Sequence, residues 1–202
     1  RHTKICGKRN NFKRHLLEIR LIDVHNRKII RDYGTSEYAA LSYVWGSRLW
    51  KTSVTDGLES AQRELSEGHL PSAREDALIF TKKLGISYLW VDHYCIDQGD
   101  VSDVEKQVQN MDVVCECANM TKVALCGPSI EFGLPGISRP MAHTSQPVVK
   151  IEQGQLMATF VESMWDHQGT RPGDKRALTL QEGILSKRCI FFDRSHVYMR
   201  CR

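Results

Sequence analysis

Short apolar runs separated by helix-patterned stretches constrain this chain most. Residues 38–45 (YAALSYVW), 88–91 (YLWV) and 121–125 (TKVAL) are brief and apolar, and are followed by Gly46, Asp92 and Gly127. Runs this short, bounded by turn residues, suit buried strands better than helices. Between the first two, Pro71 favours a helix start and Ser72 with Glu75 forms a Ser-x-x-Glu capping pattern. Ala73, Ala77, Phe80 and Leu84 follow at helical spacing, and Gly85 is placed to end the helix. Ser102 and Glu105 repeat the capping pattern, and Val104, Val108, Met111, Cys115 and Ala118 mark one face of a second helix. Parallel strands need crossover connections, so this order predicts an α/β fold with helices on both faces of a mainly parallel sheet. The strand near 38–45 is expected at its centre, with those near 88–92 and 121–125 beside it.

The flanks extend this core. Residues 15–24 read as a strand, Asn26 as a turn and 28–31 as a returning strand, which together make an N-terminal β extension. Residues 1–14 are polar and basic. Arg1, Lys4, Lys8, Arg9, Lys13, Arg14 and Arg20 face only Glu18, and a solvated tail is the favoured reading over a nucleic-acid patch. Residues 127–147 are rich in Gly, Pro and Ser, so an inserted loop is expected over about 127–150, ending in a short strand at 148–151. Residues 155–165 read as helical and 167–174 as a loop. Thr179 and Glu182 give a third capping pattern, and 188–193 and 197–201 are the last expected strands. The domain thus covers 15–202.

Hydrophobic residues make up 41% of the chain and charged residues 26%, which excludes disordered and fibrous classes. No apolar run approaches the roughly 18 residues that span a bilayer. Seven irregularly spaced cysteines with no secretory segment before them fit reduced thiols, and a cytoplasmic location is expected. The chain opens on Arg1 rather than Met, which leaves open whether it is a piece of a longer protein.

Ligands of α/β sheets gather at the carboxyl ends of strands. Ser42 and Trp45 stand at one such end: the hydroxyl suits a phosphate or ribose, the indole a stacked base, while both also suit packing. Asp92 stands at the next end, with Asp97 and Gln98 beyond it, as site residues or as loop and cap residues. His93 and Cys95, two apart on an extended segment, would share a side, but nothing marks an oxyanion hole, so an inert buried cysteine is preferred. Cys115 and Cys117 sit two apart on a helix and point about 200° from each other, which excludes joint chelation. No metal site is expected. Gly133-x-x-Gly136 lacks the rest of a nucleotide-binding fingerprint.

Three blocks together resemble the HET (heterokaryon incompatibility) domain family. They are YAALSYVWG at 38–46; Leu70-Pro71, Leu84-Gly85 and YLWVDHYCIDQ at 88–98, with Gln107, Met111 and Ala118 beyond; and RALTLQE at 176–182, with Leu185-Ser186 and Arg188. Gly133-Leu-Pro-Gly136 looks like a further segment of the family. Ala177-Leu178 stand where the family usually has Gly-Trp, and His93, Tyr94 and Cys115 also depart from its pattern. The resemblance implies a fungal module of cell-death and innate-immune-type signalling, working with other signalling domains or an upstream receptor. It further implies a remote likeness to TIR domains, whose sheet is flavodoxin-like and some of which hydrolyse NAD with a helix-borne glutamate. On that implication Glu182 is the catalytic candidate, stabilising a ribosyl cation much as carboxylates do in glycoside hydrolysis. Ser42, Trp45, Asp92 and Arg176 would line the NAD cleft. Glu182 also suits a capping role on its own helix. A non-enzymatic module that signals by homo-oligomerising or binding a partner therefore stays open beside the NAD nucleosidase.

Overall fold

The computed structural model describes residues 18–44, 65, 70–127, 129–142, 148–151, 154–157 and 185–201. Strands β1 (Ile19–Asp23) and β2 (Lys28–Asp32) form the expected N-terminal hairpin. Asp23 closes its turn by accepting hydrogen bonds from the amides of His25 and Asn26. Then follow β3 (Tyr38–Ser42), helix α1 (Ser72–Lys83) and β4 (Tyr88–Trp90). Helices α2 (Asp92–Cys95), α3 (Val101–Gln109) and α4 (Met111–Cys117) lead into β5 (Met120–Ala124). A 3-10 turn at Ile130–Phe132 precedes β6 (Val148–Ile151), β7 (Gly154–Met157), β8 (Arg188–Phe192) and β9 (Val197–Cys201).

Seven strands form one sheet in the order β2-β1-β4-β3-β5-β8-β9. The inner four, β4-β3-β5-β8, run parallel. The outer pairs are antiparallel, both within β1–β2 and β8–β9 and where β1 meets β4. The sheet is therefore mixed, not mainly parallel as the strand–helix alternation suggests. The physical reason is connection length: tight turns join β1 to β2 and β8 to β9, and a tight turn can only make antiparallel neighbours. Strand β3 is central, flanked by β4 and β5 as expected.

Register shows which helix covers which face. Leu41 pairs with Lys122, and Lys122 donates to the hydroxyl of Thr81 on α1. Phe192 pairs with Ala124, two residues on, and its ring meets Phe80 of α1 edge-on at 5.4 Å. Side chains alternate along a strand, so Tyr38, Ala40 and Ser42 face the other way. There Tyr38 donates its hydroxyl proton to the carbonyl of Val114 on α4, at 2.6 Å. Helices α1 and α4 thus lie on opposite faces, and every residue of β3 is buried.

Local details depart from the sequence patterns. The Ser72–Glu75 capping box does not form: Pro71 is the N-cap and no side chain caps the helix. Glu75 instead makes a two-pronged ion pair with Arg27, at 2.8 and 2.7 Å, a stronger bond than a cap offers. At α3 the cap is Asp100, which accepts from the amide of Ser102, so Ser102–Glu105 is not the capping pair. The expected single helix after it breaks at Asn110 into α3 and α4. Gly85 ends α1 with φ +72, and its amide bonds the carbonyl of Lys82. The start of the stretch expected as a helix over 155–165 is strand, β7, paired with β6; residues 158–165 lie outside the described residues.

Residues 129–142 carry no strand, yet Ile130 and Leu134 are buried there. The anchor is Asp76 of α1, buried and accepting from the amide of Leu134 (2.6 Å) and the hydroxyl of Ser138 (2.7 Å). Gly133 is required beside it: φ is +76, and a Cβ would meet the Asp76 carboxylate at 2.9 Å. Asp76→Ala strands a buried amide and opens a void, and should cost about 2–4 kcal/mol by urea denaturation.

Lys122 is fully buried, with only Thr81 as an acceptor among the described residues, and burial pushes its ammonium down to about 7. An unfolded lysine titrates near 10.4. Between about pH 7 and 10.5 the unfolded chain therefore holds one more proton than the native state, so native stability should rise with pH there. The slope is about 1 kcal/mol per pH unit. Lys122→Met should remove that slope and raise stability at pH 7 and below, as read by denaturation at stepped pH.

Candidate functional site

Helix α1, which lies between β3 and β4 in the chain, covers one face, and α4, which lies between β4 and β5, covers the other. Two adjacent parallel strands whose connections leave on opposite faces open a crevice at their carboxyl ends, where α/β sheets hold ligands. In this chain that place is the rim between Tyr43, just after β3, and Asp92, just after β4.

A polar chain, buried at Arg74 and Tyr43 and half-buried at Tyr94 and Asp92, crosses the rim. Arg74, in the first turn of α1, donates from Nη2 to the Tyr43 hydroxyl and from Nη1 to the Tyr94 hydroxyl, both at 3.0 Å. Its guanidinium also lies over both rings, 5.4 Å from the centroid of Tyr43 and 4.7 Å from that of Tyr94, an attractive arrangement for a cation and aromatic faces. The Tyr43 hydroxyl is hydrogen-bonded in turn to the Asp92 carboxylate. Burial, then the negative charge of Asp92, raises the Tyr43 phenol well above its ordinary value, so it stays protonated and donates. Asp92 also accepts from the amide of His93, at 2.7 Å. Burial, then the nearby charge of Arg74, lowers His93 to about 4, which leaves its imidazole neutral at pH 7.

Ser42 lies at the same rim with its side chain on the α4 face, opposite Tyr43. Its hydroxyl is buried and has no hydrogen-bond partner among the described residues, and the same holds for Nε1 of Trp90, the strand neighbour on that face. Buried polar atoms are nearly always satisfied, so these two donors distinguish this face of the rim. Ser42 and Asp92 thus share one sheet edge, on different sides of it. Trp45, Arg176 and Glu182 lie outside the described residues.

Other sequence candidates resolve into architecture. Asp97 closes its loop by accepting from the amide of Gly99, and Gln98 donates to the carbonyl of Asp92. His93 and Cys95 stand on one helical turn rather than an extended segment, so they project about 200° apart and do not share a side. Cys115 and Cys117 are both on α4 and buried. Among the described residues, no group of three or more His, Cys, Asp or Glu could hold a metal, and no helix is long and apolar enough to cross a membrane. Arg74, at the centre of the rim, has no motif in the sequence. Its one signal is a cation in the first turn of a helix, where the helix dipole disfavours it.

Burial pushes the Cys95 thiol up to about 12, and the side chain is inaccessible. In the folded protein at pH 8, Cys95 should resist iodoacetamide until the chain unfolds, while half-buried Cys201 is modified first among the described cysteines; peptide mapping by mass spectrometry reads the order.

Among the curated proteins and the solved structures, none matches the chain. Among protein families, the model described as "Heterokaryon incompatibility protein (HET)" matches residues 38–182, a span from the first residue of β3 to Glu182 that takes in both strands of the crevice and α1 between them. That span is well over half of the 202 residues, and the chain belongs to the HET family.

Proposed function

We infer that this HET domain acts inside the cell in the death response that follows fusion of unlike fungal cells, as a TIR-like module that hydrolyses NAD at the β3–β4 rim. The observation that carries the reading is the crevice itself, with buried Arg74 and Tyr43 meeting half-buried Asp92 on one side and, on the other, the Ser42 hydroxyl that has no partner among the described residues. The polar groups suit a ribose and its phosphates. Glu182, at the end of the family-matched span, would supply the carboxylate that stabilises a ribosyl cation as nicotinamide departs. Trp45, two residues beyond Tyr43, would stack a base, and Arg176 would meet a phosphate.

A second reading is supported by α3. Val101 and Val108, seven residues apart and so two turns along one side, are both solvent-exposed. An outward apolar stripe of this kind suits a module that signals by self-assembly or by docking another signalling domain.

Incubation of purified protein with NAD separates the two. The first reading expects nicotinamide release, reduced at least about a hundredfold by Glu182→Ala, the scale of losing an electrostatic stabiliser. Turnover that survives the substitution dismisses Glu182. A folded, assembled preparation that releases no nicotinamide leaves the assembly reading standing.

A further inference from the structure

The geometry points to Arg74 and the first turn of α1 as an anion site for the diphosphate of a nucleotide. This rests on the reading of the rim as a nucleotide site and names the part of it that takes negative charge.

Four observations carry it. Arg74 is buried, and no carboxylate lies within ion-pair distance of it among the described residues. Its hydrogen-bond partners there are neutral hydroxyls, which satisfy donors without neutralising the buried charge. Its donors are also incompletely used: Nη1 and Nη2 each meet a tyrosine hydroxyl, while Nε is buried with no partner among the described residues.

The remaining observations concern the helix. Side chains on a helix tilt toward its N-terminus, so Arg74, third in α1, lies over the first turn, where the amides of Arg74 and Glu75 bond the carbonyl of Pro71 and no side-chain cap takes those of Ser72 and Ala73 among the described residues. That end faces the carboxyl rim, as the bonds to Tyr43 and Tyr94 show. The Ser72 and Ala73 amides, the positive end of a twelve-residue helix and the unused Nε of Arg74 together suit a phosphate.

The carboxylates nearby do not fill this role. Glu75 is held by Arg27, and Asp76 by Leu134 and Ser138. Asp92 reaches Arg74 only through the Tyr43 hydroxyl. A doubly charged phosphate group would outcompete that indirect contact, because guanidinium–phosphate bonds are direct and two-pronged. The two tyrosine rings would hold the guanidinium plane in place.

The test is calorimetric titration of the purified chain with inorganic pyrophosphate, ADP-ribose and nicotinamide riboside, which lacks phosphate. Pyrophosphate and ADP-ribose should bind, and nicotinamide riboside should bind far more weakly than either. Arg74→Met should weaken both phosphate ligands by about ten- to a hundredfold, the scale of one charge-assisted hydrogen bond. Arg74→Gln, which keeps a donor for the tyrosines, should do the same and serves in its place should Arg74→Met not fold. Pyrophosphate binding only in the context of ADP-ribose would assign the site to the dinucleotide rather than to free phosphates. Equal phosphate affinity in folded Arg74→Gln and the unchanged chain, or no binding of either phosphate ligand at millimolar concentration, would overturn the proposal. The outcomes separate it from hydrolysis: phosphate binding that depends on Arg74 without nicotinamide release keeps the site and removes the reaction. NAD turnover with an unchanged KM in Arg74→Gln keeps the reaction and removes the site.

Discussion

Burial of β3 on both faces is the constraint on which the rest of this structure depends. A strand with no solvent face is mainly apolar and needs a layer above and below it. Ala39 and Ala40 at its middle are small, so neighbouring layers can approach closely. With α1 on one side and α4 on the other, the chain enters on one face after β3 and returns on the opposite face after β4. The crevice at the rim is a consequence of that path. It exists because β3 is central, whatever side chains line it.

Helix α1 carries most of the unusual chemistry. Three of its inward residues are polar: Arg74 at the rim, Asp76 against the 129–142 segment and Thr81 beneath Lys122. Each can be buried only because a specific partner meets it. The helix is therefore located by hydrogen bonds at three heights as well as by Ala73, Ala77 and Leu78 packing on the sheet. Such contacts are directional, so they fix the rotation of the helix, which apolar packing alone leaves adjustable. The geometry of Arg74 at the rim is set by two bonds lower down the same helix.

The same contrast explains what could be read from the sequence. Strands β3, β4, β5, β8 and β9 stand out because short runs such as YLWV and RCIFF have no amphipathic alternative. The central place of β3 follows from the same pattern. The antiparallel edges are less visible, since strand runs look alike whichever way they point. Capping residues misled for a physical reason: Ser72 and Glu75 have the right spacing for a box, but a long-range arginine outcompeted the local bond, and nothing near Glu75 in sequence announces Arg27. Ser42 and Asp92 were legible as rim residues because strand ends are legible. Arg74 was not, because it is assembled from three segments and its neighbours Tyr43 and Tyr94 are 31 and 20 residues away.

The family match and the crevice are independent lines that meet in one place. Residues 38–182 are matched as a sequence, with no reference to where they lie in space. The crevice is defined by strand order and by which face each connection crosses, with no reference to family. Yet β3, α1, β4 and α4, which make the crevice, all fall within the matched span. Within it, the groups at the rim differ in how much they depend on this chain's own residues. The backbone geometry, with a free helix end beside two strand ends, needs only the fold. The Arg74–Tyr43–Tyr94 stack needs three particular side chains. A pocket built from the fold is available to any protein sharing it, whereas its charge is set locally. The charge at this rim therefore belongs to the stack, and the crevice itself belongs to the sheet.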